Sequence, residues 1–100
     1  MPGMPGRFNT PVHTEASVGT STGVALAANH ERSYALFVNN SDTVIWLRLG
    51  EDAVANQGIR LNATGGSYEM SAQTGNLYGG AVNAISSGST KVLLVTEATG

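Results

Sequence analysis

Apolar and polar positions alternate with a period of two over most of this chain, in short runs divided by turn residues. The clearest stretch is Ser33 to Gly50, SYALFVNNSDTVIWLRLG. It reads as a hairpin of two β-strands joined by the polar turn Asn39-Asn40-Ser41-Asp42. Both strands are apolar on both alternating faces, so both faces must be dried, in a sandwich or against a partner. Ile45, Leu47 and Leu49 share one side and read as core. Val44, Trp46 and Arg48 share the other, where a large aromatic beside a charge has the character of an interface edge. Near the C-terminus Val92, Leu94 and Thr96 oppose Leu93, Val95 and Glu97. This strand is again apolar on both sides and points to a second covered surface.

The same reading gives nine candidate strands: Thr14 to Val18, Gly23 to Ala27, Ser33 to Asn39, Val44 to Leu49, Gly58 to Leu61, Ser67 to Met70, Asn76 to Tyr78, Ala81 to Ile85 and Lys91 to Glu97. Strand starts about every 8–12 residues, separated by Gly-, Asn- and Ser-rich turns, predict a sandwich or barrel. Helix competes in two places. Ala25 to Arg32 is too short and holds Asn29. Glu51 to Asn56, with acids at its start and Gly58 beyond its end, predicts a single helical turn. The expectation is an all-β domain: a small antiparallel β-sandwich or flattened β-barrel of about eight short strands spanning residues 12–100. Residues 1–11, with their Met-Pro-Gly repeat, predict a flexible, extended N-terminal arm.

Composition narrows the function. The chain has 100 residues and a formal net charge of −2, and 12% of its residues are charged. That is about half the usual share of ~25%, which suits a surface largely covered in its working state. Arg7, Arg32, Arg48, Arg60 and Lys91 are scattered, so no basic patch supports nucleic-acid binding. Without cysteine, thiol chemistry, disulfides and thiolate metal sites are excluded. The apolar runs are far short of the ~20 residues that span a bilayer, and the proline-broken N-terminus has no signal-like apolar core.

Candidate chemistry is thin. Gly19-Thr20-Ser21-Thr22-Gly23 matches the Gly-x-Ser-x-Gly nucleophile elbow, but no helix follows it and a hydroxyl-rich turn explains it equally. His13 and His30 lack partners at zinc-ligand spacing. Glu51-Asp52 sits in no calcium-loop pattern, and the remaining carboxylates read as solvated. The Asn39 and Asn62 glycosylation sequons lie where asparagine makes turns. Trp46, Tyr34, Tyr68 and Tyr78 are the only basis for a sugar-stacking platform, and aromatics in β-domains serve more often as core or interface. The expectation is therefore no enzyme and no cofactor.

The runs YALFVNNSDTVIWLRLG, GIRLNATGGSYEM and NLYGGAVNAISSGSTKVLLVTE, covering roughly Ser33 to Glu97, resemble small virion proteins of tailed bacteriophages, in particular capsid decoration (cement) proteins. The similarity is a pattern of strands and turns without a catalytic signature. It implies a structural protein on the outer head shell, made in the host cytoplasm, that bridges major capsid subunits as a homo-oligomer, a trimer by expectation. Phe8 and the arm are then the expected capsid contact, with Phe37, Val44 and Trp46 in subunit packing. Tail or neck proteins and carbohydrate-binding β-sandwich modules are the alternatives.

Overall fold

The structure, a computed structural model, describes residues 10–99. It contains eight strands: β1 (Thr10–Val18), β2 (Gly23–Leu26), β3 (Arg32–Asn39), β4 (Ile45–Leu49), β5 (Ile59–Leu61), β6 (Ser67–Ser71), β7 (Val82–Ser86) and β8 (Lys91–Thr99). No helix occurs among the described residues. The strands form two four-stranded sheets, one in the order β1-β8-β3-β6 and the other β2-β7-β4-β5. Every pairing is antiparallel. Because the sheets are separate layers packed face to face, the fold is a sandwich and not a closed barrel.

The inward-facing residues follow from the period-two pattern. Ala35 and Phe37 of β3 and Leu93 and Val95 of β8 come from the first sheet, Ile45 and Leu47 of β4 and Val82 and Ala84 of β7 from the second. All are buried, and Leu61 and Met70 close the same cluster. Phe37 is 0% exposed. Truncating a buried phenylalanine to alanine typically costs about 3–5 kcal/mol, so this one ring is a large fraction of the stability of a domain this size.

Four sequence expectations change. Ser33 to Gly50 is not a hairpin, because β3 lies in the first sheet and β4 in the second. Of the seven connections only β4–β5 stays within one sheet. The cause is Asn39, which continues the inward row of Ala35 and Phe37 and is 0% exposed. Its Nδ2 donates to the carbonyls of Thr43 (2.7 Å) and Leu61 (3.0 Å), while its Oδ1 accepts from the Ser41 hydroxyl (2.6 Å). A buried amide needs these partners, and they lie across the sandwich. Asn39 therefore turns the chain between layers. Gly66, which pairs by its carbonyl with the Asn39 amide, packs so closely on Asn62 that a Cβ would lie 2.3 Å from its backbone nitrogen.

Secondly, Asn76 to Tyr78 is loop. The Asn76 side chain accepts from the Ser71 amide and donates to the Glu69 carbonyl, so it caps β6 in place of strand pairing. Thirdly, Glu51 to Asn56 makes no helical turn. The Ala53 amide is taken by the Thr22 hydroxyl (2.7 Å), and Asn56 sits at φ 67° in a reverse turn closed from Gln57 to Val54. Gly58 follows at φ 86°, where a Cβ would meet the Leu47 carbonyl at 2.4 Å. Finally, β1 begins at Thr10, inside the segment read as an arm, with Pro11 on an edge strand where a missing donor is tolerated. The rest of that segment, residues 1–9, lies outside the described residues.

Candidate interaction surface

Two polar clusters close the ends of the sandwich. At one end stands Arg32, whose side chain is 0% exposed. Its guanidinium donates to Glu97 (2.7 Å) and to the carbonyls of Tyr78 (2.5 Å), Gly80 (3.0 Å) and Ala27 (2.6 Å). One side chain thereby joins β8, the β6–β7 loop and the β2–β3 loop, using the planar fork that only arginine has. The Asn39 cluster stands at the other end. There the Thr43 and Ser86 hydroxyls are 3.0 Å apart, and Lys91 pairs with Asp42 at 2.7 Å. The Lys91 ammonium holds the exposed Asp42 carboxyl below its ordinary range. Both clusters are satisfied within the chain, since no buried side-chain polar atom among the described residues lacks a partner.

The residues with catalytic or metal-binding potential are not brought together. Ser21 lies in the exposed β1–β2 connection and His30 in the β2–β3 connection, at opposite ends of the sandwich. The His13 ring, on the outer face of the first sheet, hydrogen-bonds through Nδ1 to the Thr96 hydroxyl at 2.9 Å. No group of three potential metal-ligating side chains occurs among the described residues, nor does a helix long and apolar enough to cross a membrane.

The outer faces of the two sheets differ. On the second sheet Trp46 stands between Arg60 of β5 and Ile85 of β7, and only 8% of it is exposed. Arg48 faces Asn83 and pairs with Glu51 at 3.2 Å, and the Asn83 side chain holds the Glu51 carbonyl at 2.6 Å. This face mixes polar side chains with Ile85 and with Val24 of β2, which is 64% exposed, and its tryptophan is already covered.

On the first sheet the cross-strand rows are His13–Thr96–Leu36–Glu69 and Glu15–Leu94–Val38–Ser67. The centre is aliphatic: Leu36 and Val38 of β3 with Val92 and Leu94 of β8, all half-buried. The two flanks are polar. At one margin the Tyr34 hydroxyl donates to Glu69 at 2.5 Å, and that bond together with desolvation pushes the tyrosine up to about 12. A shallow open depression runs along β1 and β8, lined by His13, Glu15, Leu94 and Thr96 among others. An apolar centre with a polar rim is the anatomy of a protein interface, and this face is the candidate surface.

Of the residues expected at an interface, Phe8 lies outside the described residues. Phe37 points into the core and leaves no free face for a partner. Val44 is half-buried just ahead of β4, and Trp46 is covered on the opposite sheet. The structure does not assemble these into one patch. The sequence shows the last strand as apolar on both faces without telling which is spare; Val92 and Leu94 lie on the outer one, and Leu36 and Val38 join them only through the β3–β8 register. Arg32 and Asn39 were missed, since each looks like an ordinary loop residue until its distant acceptors are placed. No protein-family model matches the chain, and no curated protein or solved structure matches it either.

Proposed function

We propose that this chain is a structural virion protein of the capsid decoration type, which coats the outer head shell of a tailed phage and bridges major capsid subunits through the outer face of its β1-β8-β3-β6 sheet. The observation that carries the reading is the half-buried aliphatic centre of that face, Leu36, Val38, Val92 and Leu94, inside a polar rim. The resemblance in strand and turn pattern supplies the shell as the partner.

The size of the patch agrees with a coat assembled from many copies. Four strands at about 4.8 Å spacing and about six residues of length give roughly 400 Å². That is half of the ~800 Å² per partner in a standard interface. A single copy held by so small a patch binds weakly, and a lattice of linked copies turns weak contacts into firm attachment. The covered Trp46 leaves the carbohydrate-binding alternative without its best stacking surface.

The test is co-sedimentation of the protein with undecorated heads. Leu36→Glu and Leu94→Glu both place a charge in the apolar centre without touching the core, and each is expected to abolish attachment while the far-UV circular dichroism stays that of the native β-fold. Full attachment by both folded variants, or attachment to tails in place of heads, overturns the assignment.

A further inference from the structure

A sheet has two edges, so the sandwich has four, and three of them are blunted. β5 is three residues long, β2 is four residues long with a register shift between Val24 and Leu26, and β6 has five residues with the exposed Glu69 at its centre. Short, irregular or charged edges are the ordinary defence against unwanted pairing. β1 is different. Its nine residues pair with β8 in one unbroken register, from Thr10↔Thr99 to Val18↔Lys91, and its other side pairs with no strand among the described residues. Residues 11 to 15 are exposed, and Val12 is left 50% exposed.

The sequence of this strand, TPVHTEASV, is complementary to itself when turned antiparallel about Thr14. In that register His13 stands opposite Glu15 of the second copy, and Glu15 opposite its His13. Both pairs lie on the outer face, where an imidazole N–H can donate to the carboxylate directly opposite. Val12 falls opposite Ala16 on the inner face, which covers the exposed valine, and Thr14 meets Thr14 on the axis. A shift by two residues places Glu15 opposite Glu15 or His13 opposite His13, which is unfavourable.

We propose that β1 is a homodimer interface, in which two copies pair antiparallel about Thr14 and join their β1-β8-β3-β6 sheets into one continuous eight-stranded sheet. Closure about a two-fold makes the unit a dimer, in place of the trimer that the resemblance implied. It also sets two apolar faces side by side on a single surface. The proposal rests on the β1 edge and does not depend on what that surface binds.

The chain lacks cysteine, which makes a direct test available. Residues directly opposite in an antiparallel pair have Cα atoms about 4.5–5.5 Å apart, inside the range a disulfide spans. The full-length Thr14→Cys variant is expected to form a disulfide-linked dimer under mild oxidation, while Val24→Cys, exposed on β2, stays monomeric on non-reducing gels. Cross-linking of both variants to the same extent, or of neither, overturns the pairing. Sedimentation equilibrium supplies a second readout. The wild-type chain is expected to weigh twice its 10.3 kDa. His13→Glu, which opposes two glutamate pairs, is expected to weaken the dimer about tenfold, and the added Glu15→Lys substitution to restore it. A wild-type monomer at high micromolar concentration, or a dimer indifferent to His13→Glu, overturns the proposal.

Discussion

Replacing Arg32 by methionine keeps most of the side chain's apolar stem and removes its four hydrogen bonds. Three of those bonds end on backbone carbonyls, of Ala27, Tyr78 and Gly80, which no side-chain substitution can take away. The fourth ends on Glu97, whose side chain is 20% exposed and can be rehydrated. A buried acceptor left without a partner costs about 1–3 kcal/mol, so three carbonyls set a ceiling near 9 kcal/mol, which their only partial burial lowers. Water entering the space vacated by the guanidinium relieves part of it, and the expected loss is about 3–5 kcal/mol, the range for breaking a buried ion pair by removing one partner. A domain of this size has about 5–15 kcal/mol in all. In urea, with a slope near 1.5 kcal/mol per molar, the midpoint falls by about 2–3 M, and Tm falls by at least ~12 °C. Arg60→Met is the control: Arg60 is exposed, its guanidinium donates to Asn62, and the expected change is within ~0.5 kcal/mol. Adding Glu97→Leu to the Arg32 variant does not rescue it, because the three carbonyls remain. A loss below ~1 kcal/mol for Arg32→Met, at unchanged slope, refutes the reasoning.

At the other end of the sandwich, Asn39→Ala leaves the Thr43 and Leu61 carbonyls without their donor, and urea unfolding should show a loss of about 2–3 kcal/mol; a shift under ~0.5 kcal/mol means the amide does not hold the crossing. Tyr34 keeps its proton in the folded state up to about 12, against an ordinary value of 10.0. Between those values the folded state binds more protons than the unfolded one, so this contribution is complete below pH 10 and is lost as pH rises through the window. The difference in stability between wild type and Tyr34→Phe should therefore shrink from pH 10 to pH 12, and a difference that stays constant across that window contradicts the Glu69 hydrogen bond.

How legible this was in the sequence depends on the scale of the cause. Strand positions were, because burial on one face writes itself at period two, as in Ile45, Leu47 and Leu49. Layer assignment was not. A run such as Asn39-Asn40-Ser41-Asp42 has the same composition whether it closes a hairpin or crosses between sheets, and only the depth of Asn39 separates the two. The one local hint was parity, since Asn39 extends the inward row of Ala35 and Phe37. Trp46 was placed on the correct side of its strand, yet its cover comes from Arg60 and Ile85, 14 and 39 residues further along. Phe37, Val44 and Trp46 do not share one face for the same reason: a face is built from strands that register, and β3–β8 pairing joins residues more than fifty positions apart. Arg32 gave no hint at all, because its acceptors are carbonyls, which every residue possesses.

The order of strands in the first sheet has a consequence for how the protein is made. β8 emerges after the other seven strands, yet it occupies an interior place between β1 and β3. Until it arrives the sheet has a gap, and Phe37 and Asn39 on β3 lack their cross-strand neighbours Val95 and Leu93. With six of seven connections crossing between sheets, few contacts form early, and loop closure must precede most of the stabilising pairings. Folding is thus a late, concerted event on the millisecond-to-second scale, and a chain cut short of Lys91 is an incomplete sheet with two open edges, a substrate for aggregation more than a smaller version of the same fold.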